Sequence, residues 1–184
     1  MMEKKFAHTY RIPSARLANW DYRNAAAYFV TICTQNREHH FGKVVNGRMN
    51  LSGMGVIADI LWHEMTHHAK MVDLDAFVVM PNHIHGIVII RGFAPAPSNA
   101  PQSTAPPAKN PLMAHISPKP GSLAAIIRSY KSAVTRHGNR PGFPFAWQTR
   151  FHDHIIRNDG EFDRIRQYII NNPQQWENDK FYDQ

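Results

Sequence analysis

Residues 78–90 read VVMPNHIHGIVII: an apolar run, a Pro81-Asn82 break, then a second run in which histidines flank an aliphatic residue. Runs of this length, rich in valine and isoleucine and bounded by a turn signal, are strands. Leu74 to Met80 and His83 to Arg91 should therefore pair antiparallel. Side chains alternate faces along a strand, so His83 and His85 point one way and Ile84 the other, into the core. Two imidazoles at i and i+2 are close enough to share one divalent metal, and imidazole suits transition metals better than calcium.

Working outward, Ala26 to Gln35 (AAYFVTICTQ) is β-branched and aromatic and reads as a strand. Asn46-Gly47 between short apolar stretches signals a hairpin. Ser52 can cap a helix from Gly53 to Met71, with Val56, Ile57, Ile60, Leu61 and Met65 as its buried stripe. Ser122 caps a helix to about His137, closed by Gly138, whose stripe is Leu123, Ile126, Ile127, Tyr130 and Val134. Trp147 to Arg157 reads as a strand. Asn158 or Asp159 caps a last helix, Glu161 to Asn171, stopped by Pro173. This order predicts an α+β domain: a ferredoxin-like antiparallel sheet with helices packed mainly on one face.

Residues 1–184 should form one domain, with a long loop at 92–120 that holds eight of the 13 prolines. Apolar residues make up 43%, enough for a packed core. Lys and Arg exceed Asp and Glu by 21 to 14, which favours a polyanionic partner. A single cysteine, Cys33, excludes an intramolecular disulfide framework and a cysteine-rich zinc site. No leader or long apolar run is visible in the given sequence, so no membrane association is expected and a cytoplasmic location, at the nucleoid, is.

Three segments together carry a family resemblance. VVMPNHIHGIVII is similar to the His-hydrophobic-His (HUH) motif of single-strand DNA endonucleases. FHDHIIRNDGEFDRIRQYIINNP, residues 151–173, resembles the distal signature of single-tyrosine transposases, above all the REP-associated tyrosine transposase branch. YFVTICTQNR, residues 28–37, resembles their first strand. The resemblance implies a DNA transposase that nicks single-stranded or hairpin DNA through a 5′-phosphotyrosine. It places the nucleophile at Tyr168 and the metal ligands at His83, His85 and Asn172, with Mg or Mn as cofactor. By helix spacing alone, Tyr168 falls at the edge of the stripe made by Phe162, Ile165 and Ile169, and ordinary packing is its alternative role. For Asn172, capping of the helix end is an equal alternative.

Rival readings stay open at this point. Tyr130 is a second tyrosine, though its spacing favours core. His63-Glu64-Met65-Thr66-His67 matches the H-E-x-x-H zinc motif, with Glu64 near the middle of the apolar stripe. His152 and His154 share a strand face and read as polar residues near DNA. Nine Lys and Arg against four acidic residues between 119 and 166 make this half basic. Lys131, Arg136, Arg150, Arg157 and Arg164 are the phosphate-contact candidates, and Arg150, Arg157, Arg164 and Arg166 are expected around the site. Phe145, Trp147 and Phe151 are stacking surfaces or core. A DNA-binding protein without catalysis, or a metal-dependent phosphodiesterase, are the alternatives to a transposase; a homodimer and a monomer are equally compatible.

Overall fold

The computed structural model describes residues 17, 20–92, 118–143 and 145–182. The proline-rich stretch lies, from 93 to 117, outside the described residues. Among the described residues there are six strands: β1 (Ala26–Cys33), β2 (Gly42–Val45), β3 (Arg48–Leu51), β4 (Val72–Val79), β5 (His83–Ile90) and β6 (His152–Ile156). The helices are α1 (Gly53–His63), α2 (Met65–His68), α3 (Leu123–Asn139) and α4 (Asp159–Asn171), followed by a 3-10 segment, Asn172–Asn178.

Four strands form one antiparallel sheet in the order β4-β5-β1-β6. With α1 between β1 and β4 and α3 between β5 and β6, this is the ferredoxin-like βαββαβ arrangement. The hairpin β2-β3 stands apart as a two-stranded sheet. Its Asn46-Gly47 turn has φ of 51° and 70°, the left-handed pair that such turns require.

Alternation along the strands separates two cores. Tyr28, Val30, Ile32, Ile84, Val88 and Ile90 face α1 and α3, where Ala58, Trp62, Ile127 and Val134 close the larger core. The other face carries Phe29 and Ile87, and α4 covers it with Ile165 and Ile169. Arg166 ties α4 to the sheet through an ion pair with Asp75 on β4 (2.9 Å).

Local capping explains the helix starts. Ser52, Ser122 and Asn158 each accept a hydrogen bond from the backbone N–H three residues on. Helix α3 follows its expected stripe, with Leu123, Ile126, Ile127, Tyr130 and Val134 all buried, but it runs to Asn139 because Gly138 packs against Met54 instead of ending it.

Helix α1 corrects the sequence reading. It breaks at Glu64 instead of continuing to Met71, and its inward face is Met54, Ala58, Trp62 and then Met65. Val56 and Ile60 point outward, 44% and 55% exposed. Glu64 is no stripe residue, since it pairs with exposed His67 at 3.0 Å. The expected strand from Trp147 is also shorter, beginning at His152. Upstream, Trp147 makes one bridge to Thr34, and the Lys131 ammonium takes the Gln148 carbonyl that a ladder would use.

Candidate active site

The register of β1 against β5 sets Thr31 opposite His85 and Cys33 opposite His83. All four side chains therefore share the α4 face of the sheet. Both imidazoles are fully enclosed. Burial pushes the His83 imidazole down to about 3 and that of His85 well below its ordinary value, so both rings stay neutral with a lone pair to offer.

The ring orientations are fixed from behind. His83 Nδ1 lies 2.8 Å from Asn82 Oδ1, and Asn82 donates its own N–H to the Phe181 carbonyl. A carboxamide oxygen only accepts, so His83 Nδ1 carries the proton and Nε2 is the bare acceptor. That Nε2 is buried with no hydrogen-bond partner. His85 Nδ1 lies 2.9 Å from the Thr31 hydroxyl, which leaves its Nε2 facing the site. Such outer partners are what orient metal-bound histidines.

Tyr168 comes from α4, one turn from buried Ile165 and beside Ile169, at the edge of the stripe as expected. Its hydroxyl is 3.2 Å from His85 Nε2 and 3.3 Å from Asp179 Oδ2. Half-burial and the Asp179 carboxylate push the phenol up to about 12. Asn172 follows at the end of α4 and is buried. Its side chain is turned inward, where Nδ2 donates to Asp179 Oδ2 at 2.8 Å and Oδ1 has no partner.

Asp179 is the residue that the sequence reading missed. Ligand atoms of His83, His85 and Asp179 lie within 4.8 Å of one another, and among the described residues they are the one such His/Cys/Asp/Glu triad. Its spacing from α4 gives no signal, because the chain folds back after Trp176. The same segment places Phe181 over the histidines, with ring centroids 4.5 Å from His83 and 5.9 Å from His85.

The donor set suits a divalent cation. Two neutral imidazoles and a carboxylate converge, and the orphaned His83 Nε2 and Asn172 Oδ1 are acceptors that burial leaves unsatisfied without a partner. Imidazole donors favour manganese over magnesium in such a set.

The other candidates lie elsewhere. Tyr130 is on the opposite face of the sheet, fully buried, its hydroxyl donating to the Ala58 carbonyl at 2.9 Å. His63 packs edge-on to Phe77 while His67 pairs with Glu64, so the H-E-x-x-H residues do not converge on a common point. His152 and His154 lie on the β6 edge strand, opposite Thr31 and Phe29 and thus on the histidine face. His154 Nε2 meets Glu161 at 2.8 Å.

The basic residues split into two groups. Lys131 and Arg136 belong to α3, on the far face of the sheet, and border a groove of about 490 Å³ with Thr135, Asn139 and Trp147. Half-burial pulls the Lys131 ammonium down, and it anchors residues 148–149. Arg157 and Arg164 flank the start of α4, and exposed Arg150 precedes β6. Phe145, Trp147 and Phe151 pack against the larger core.

Among known proteins, a protein of Haemophilus influenzae strain Rd described as "Uncharacterized protein" is 34% identical over 173 residues, 92% of each chain. No protein-family model matches the chain. The structure of a REP-associated tyrosine transposase bound to a REP hairpin is similar in fold, with a TM-score of 0.57 at 18% identity over 90% of this chain and 74% of that one. A candidate transposase of Deinococcus radiodurans aligns over 86% of this chain and 97% of its own, at 16% identity and a TM-score of 0.41. The chain belongs to the family of the Haemophilus influenzae protein, and its fold is that of the hairpin-bound transposase.

Proposed function

We propose that this protein is a divalent-metal-dependent transesterase of the transposase type, acting on single-stranded DNA beside hairpins. The observation that carries the reading is the Tyr168 hydroxyl 3.2 Å from His85 Nε2, in a pocket where His83 Nε2 is left bare. A phenol within reach of a two-imidazole centre is an arrangement that attacks phosphodiesters. Likeness to the hairpin-bound transposase supports DNA as substrate and a hairpin as its mark.

In this reading His83, His85 and Asp179 hold the metal, with the Asn172 carboxamide oxygen as a fourth donor. A divalent metal held there would supply polarisation of the scissile phosphate and offset the charge that develops on attack. Tyr168 supplies the attacking oxygen. Its bond to phosphorus forms as the P–O3′ bond breaks, leaving a 5′-phosphotyrosine and a 3′-oxygen that takes up a proton from solvent water to become the free 3′-OH. The phenol proton has Asp179 Oδ2 as its nearest carboxylate acceptor. Thr31 and Asn82 keep the two imidazoles aimed throughout. For access, the strand must displace Phe181, which lies over both rings.

That cover also favours a second reading, a DNA-binding protein on this scaffold that performs no chemistry. One assay separates them. The protein is incubated with Mn²⁺ or Mg²⁺ and a pool of labelled hairpin oligonucleotides with randomised single-stranded flanks, then resolved on denaturing gels. A covalent adduct is expected that Tyr168→Phe abolishes without loss of hairpin affinity, and that His83→Ala also abolishes. Hairpin binding with no adduct in either metal establishes the silent protein.

A further inference from the structure

Past the end of β1, the turn Thr34–Glu38 holds two consecutive non-glycine residues in left-handed backbone: Asn36 (φ 53°) and Arg37 (φ 58°). Side chains bearing a Cβ disfavour this region. The surrounding contacts nevertheless hold the turn there. Thr34 donates its backbone N–H to the Asn82 carbonyl at 2.9 Å, and its hydroxyl lies 2.8 Å from the Glu38 carbonyl and 2.9 Å from that of Asn82. The turn is thus fastened to the residue that precedes His83 and fixes its tautomer.

The result is a cation at the mouth of the site. Arg37 donates from Nη1 to the Lys180 carbonyl at 3.3 Å, and its Cζ lies 5.3 Å from the centre of the Phe181 ring. That ring is itself 4.5 Å from the His83 ring. Laid end to end, the two contacts put the guanidinium no more than about 10 Å from the His83 imidazole.

We propose that Arg37 is a phosphate-binding catalytic residue of this site. When an incoming strand draws Lys180 and Phe181 aside, with Asp179 left in place, the guanidinium exchanges the Lys180 carbonyl and the Phe181 ring for a non-bridging oxygen of the phosphodiester held at His83 and His85. The assignment rests on the transesterase reading and adds to it the group that meets the phosphate from the β1 side. Nothing in the bond-making changes: Tyr168 oxygen joins phosphorus, the 3′-oxygen leaves, and Arg37 neither gains nor loses a proton. Its planar fork offers paired N–H donors to oxygens whose charge grows during attack.

Two contrasts single it out. Lys180 also approaches the Phe181 ring (4.9 Å), but it belongs to the segment that must move, whereas Arg37 belongs to a turn that stays. Lys131 and Arg136 lie beyond the sheet, on α3.

The test uses the full chain carrying Arg37→Ala and Arg37→Lys, with Tyr168→Phe as reference. At saturating oligonucleotide and Mn²⁺, Arg37→Ala should slow adduct formation by about 10²–10³-fold, the size of loss seen when one oxyanion donor is removed. Arg37→Lys should recover part of that rate. In EDTA, the slope of log affinity against log salt for a flank-bearing hairpin should fall in magnitude by about 0.7, one phosphate contact on a single strand. The slope for the bare hairpin should not move. A Tyr168-dependent adduct formed by Arg37→Ala at the wild-type rate, with an unchanged slope, overturns the role of Arg37 and leaves the transesterase reading standing. Failure of the wild-type chain to form any Tyr168-dependent adduct overturns both.

Discussion

Acidification of the metal-free protein should weaken it through His83, and the size of the effect can be worked from the fold. In the unfolded chain this imidazole titrates near 6.5; folded, it is held down to about 3. Between those values the unfolded state binds a proton that the native state refuses, so stability falls as pH falls. At pH 5, a shift of this kind from an unfolded value of 6.5 costs about 2 kcal/mol per histidine. His85 is lowered in the same direction and adds to the loss. Above pH 6.5 the term vanishes. The carboxylates that Arg23 and Arg91 hold low, Asp21 and Asp73, lose their support only in more acid solution and do not blur this window.

Urea melts in EDTA at pH 7.5, 6.0 and 5.0 measure the effect. With m near 1–3 kcal/mol/M, about 2 kcal/mol moves the midpoint by roughly 1 M. His83→Gln, which keeps a polar side chain but cannot titrate, should remove its share of the slope. A midpoint flat from pH 7.5 to 5.0, or a slope unchanged in His83→Gln, would show that the native ring accepts a proton freely, and the enclosed, neutral donor described above would be wrong.

Other perturbations follow from the same contacts. Phe181→Ala should unroof the histidines: diethylpyrocarbonate should modify His83 faster than in the wild type, while the lost packing costs only about 1–2 kcal/mol for a partly buried ring. Tyr130→Phe removes the hydroxyl that meets the Ala58 carbonyl; it should cost about 1 kcal/mol in chemical melts and leave adduct formation unaltered. Gly86→Ala would set a methyl 2.2 Å and 2.7 Å from Trp62 ring atoms. Overpacking of this sort should lower stability by about 1–3 kcal/mol or more, read as a fall in Tm.

The parts of this fold that were legible in the sequence are those governed by near neighbours. Ser52, Ser122 and Asn158 announce helix starts because a cap is satisfied within three residues. Asn46-Gly47 announces its hairpin because only the local backbone decides that turn. Strand alternation put the two imidazoles on one face, but helix spacing alone left Tyr168 with ordinary packing as its alternative, and only the resemblance singled it out. Helix α1 was misread because it is apolar nearly all round. Two faces compete, and the one that wins brings small Ala58 under the Tyr130 hydroxyl, a contact between residues 72 apart. Asp179 was illegible for a related reason. It reaches the site on a segment whose Phe181 carbonyl is held by Asn82, 99 residues away, and neither end of that bond marks the other.

The alternation of β5 has a consequence for how this protein tolerates change. Even-numbered Ile84, Val88 and Ile90 belong to one core, odd-numbered His83, His85 and Ile87 to the other face. Substitution can therefore tune either face independently, but a single codon inserted or deleted between Pro81 and Gly86 would exchange them. Two imidazoles would then be driven against the Trp62 side while aliphatic carbon filled the donor pocket. Length in this strand is under stricter control than identity, and indels should be purged here before missense changes are.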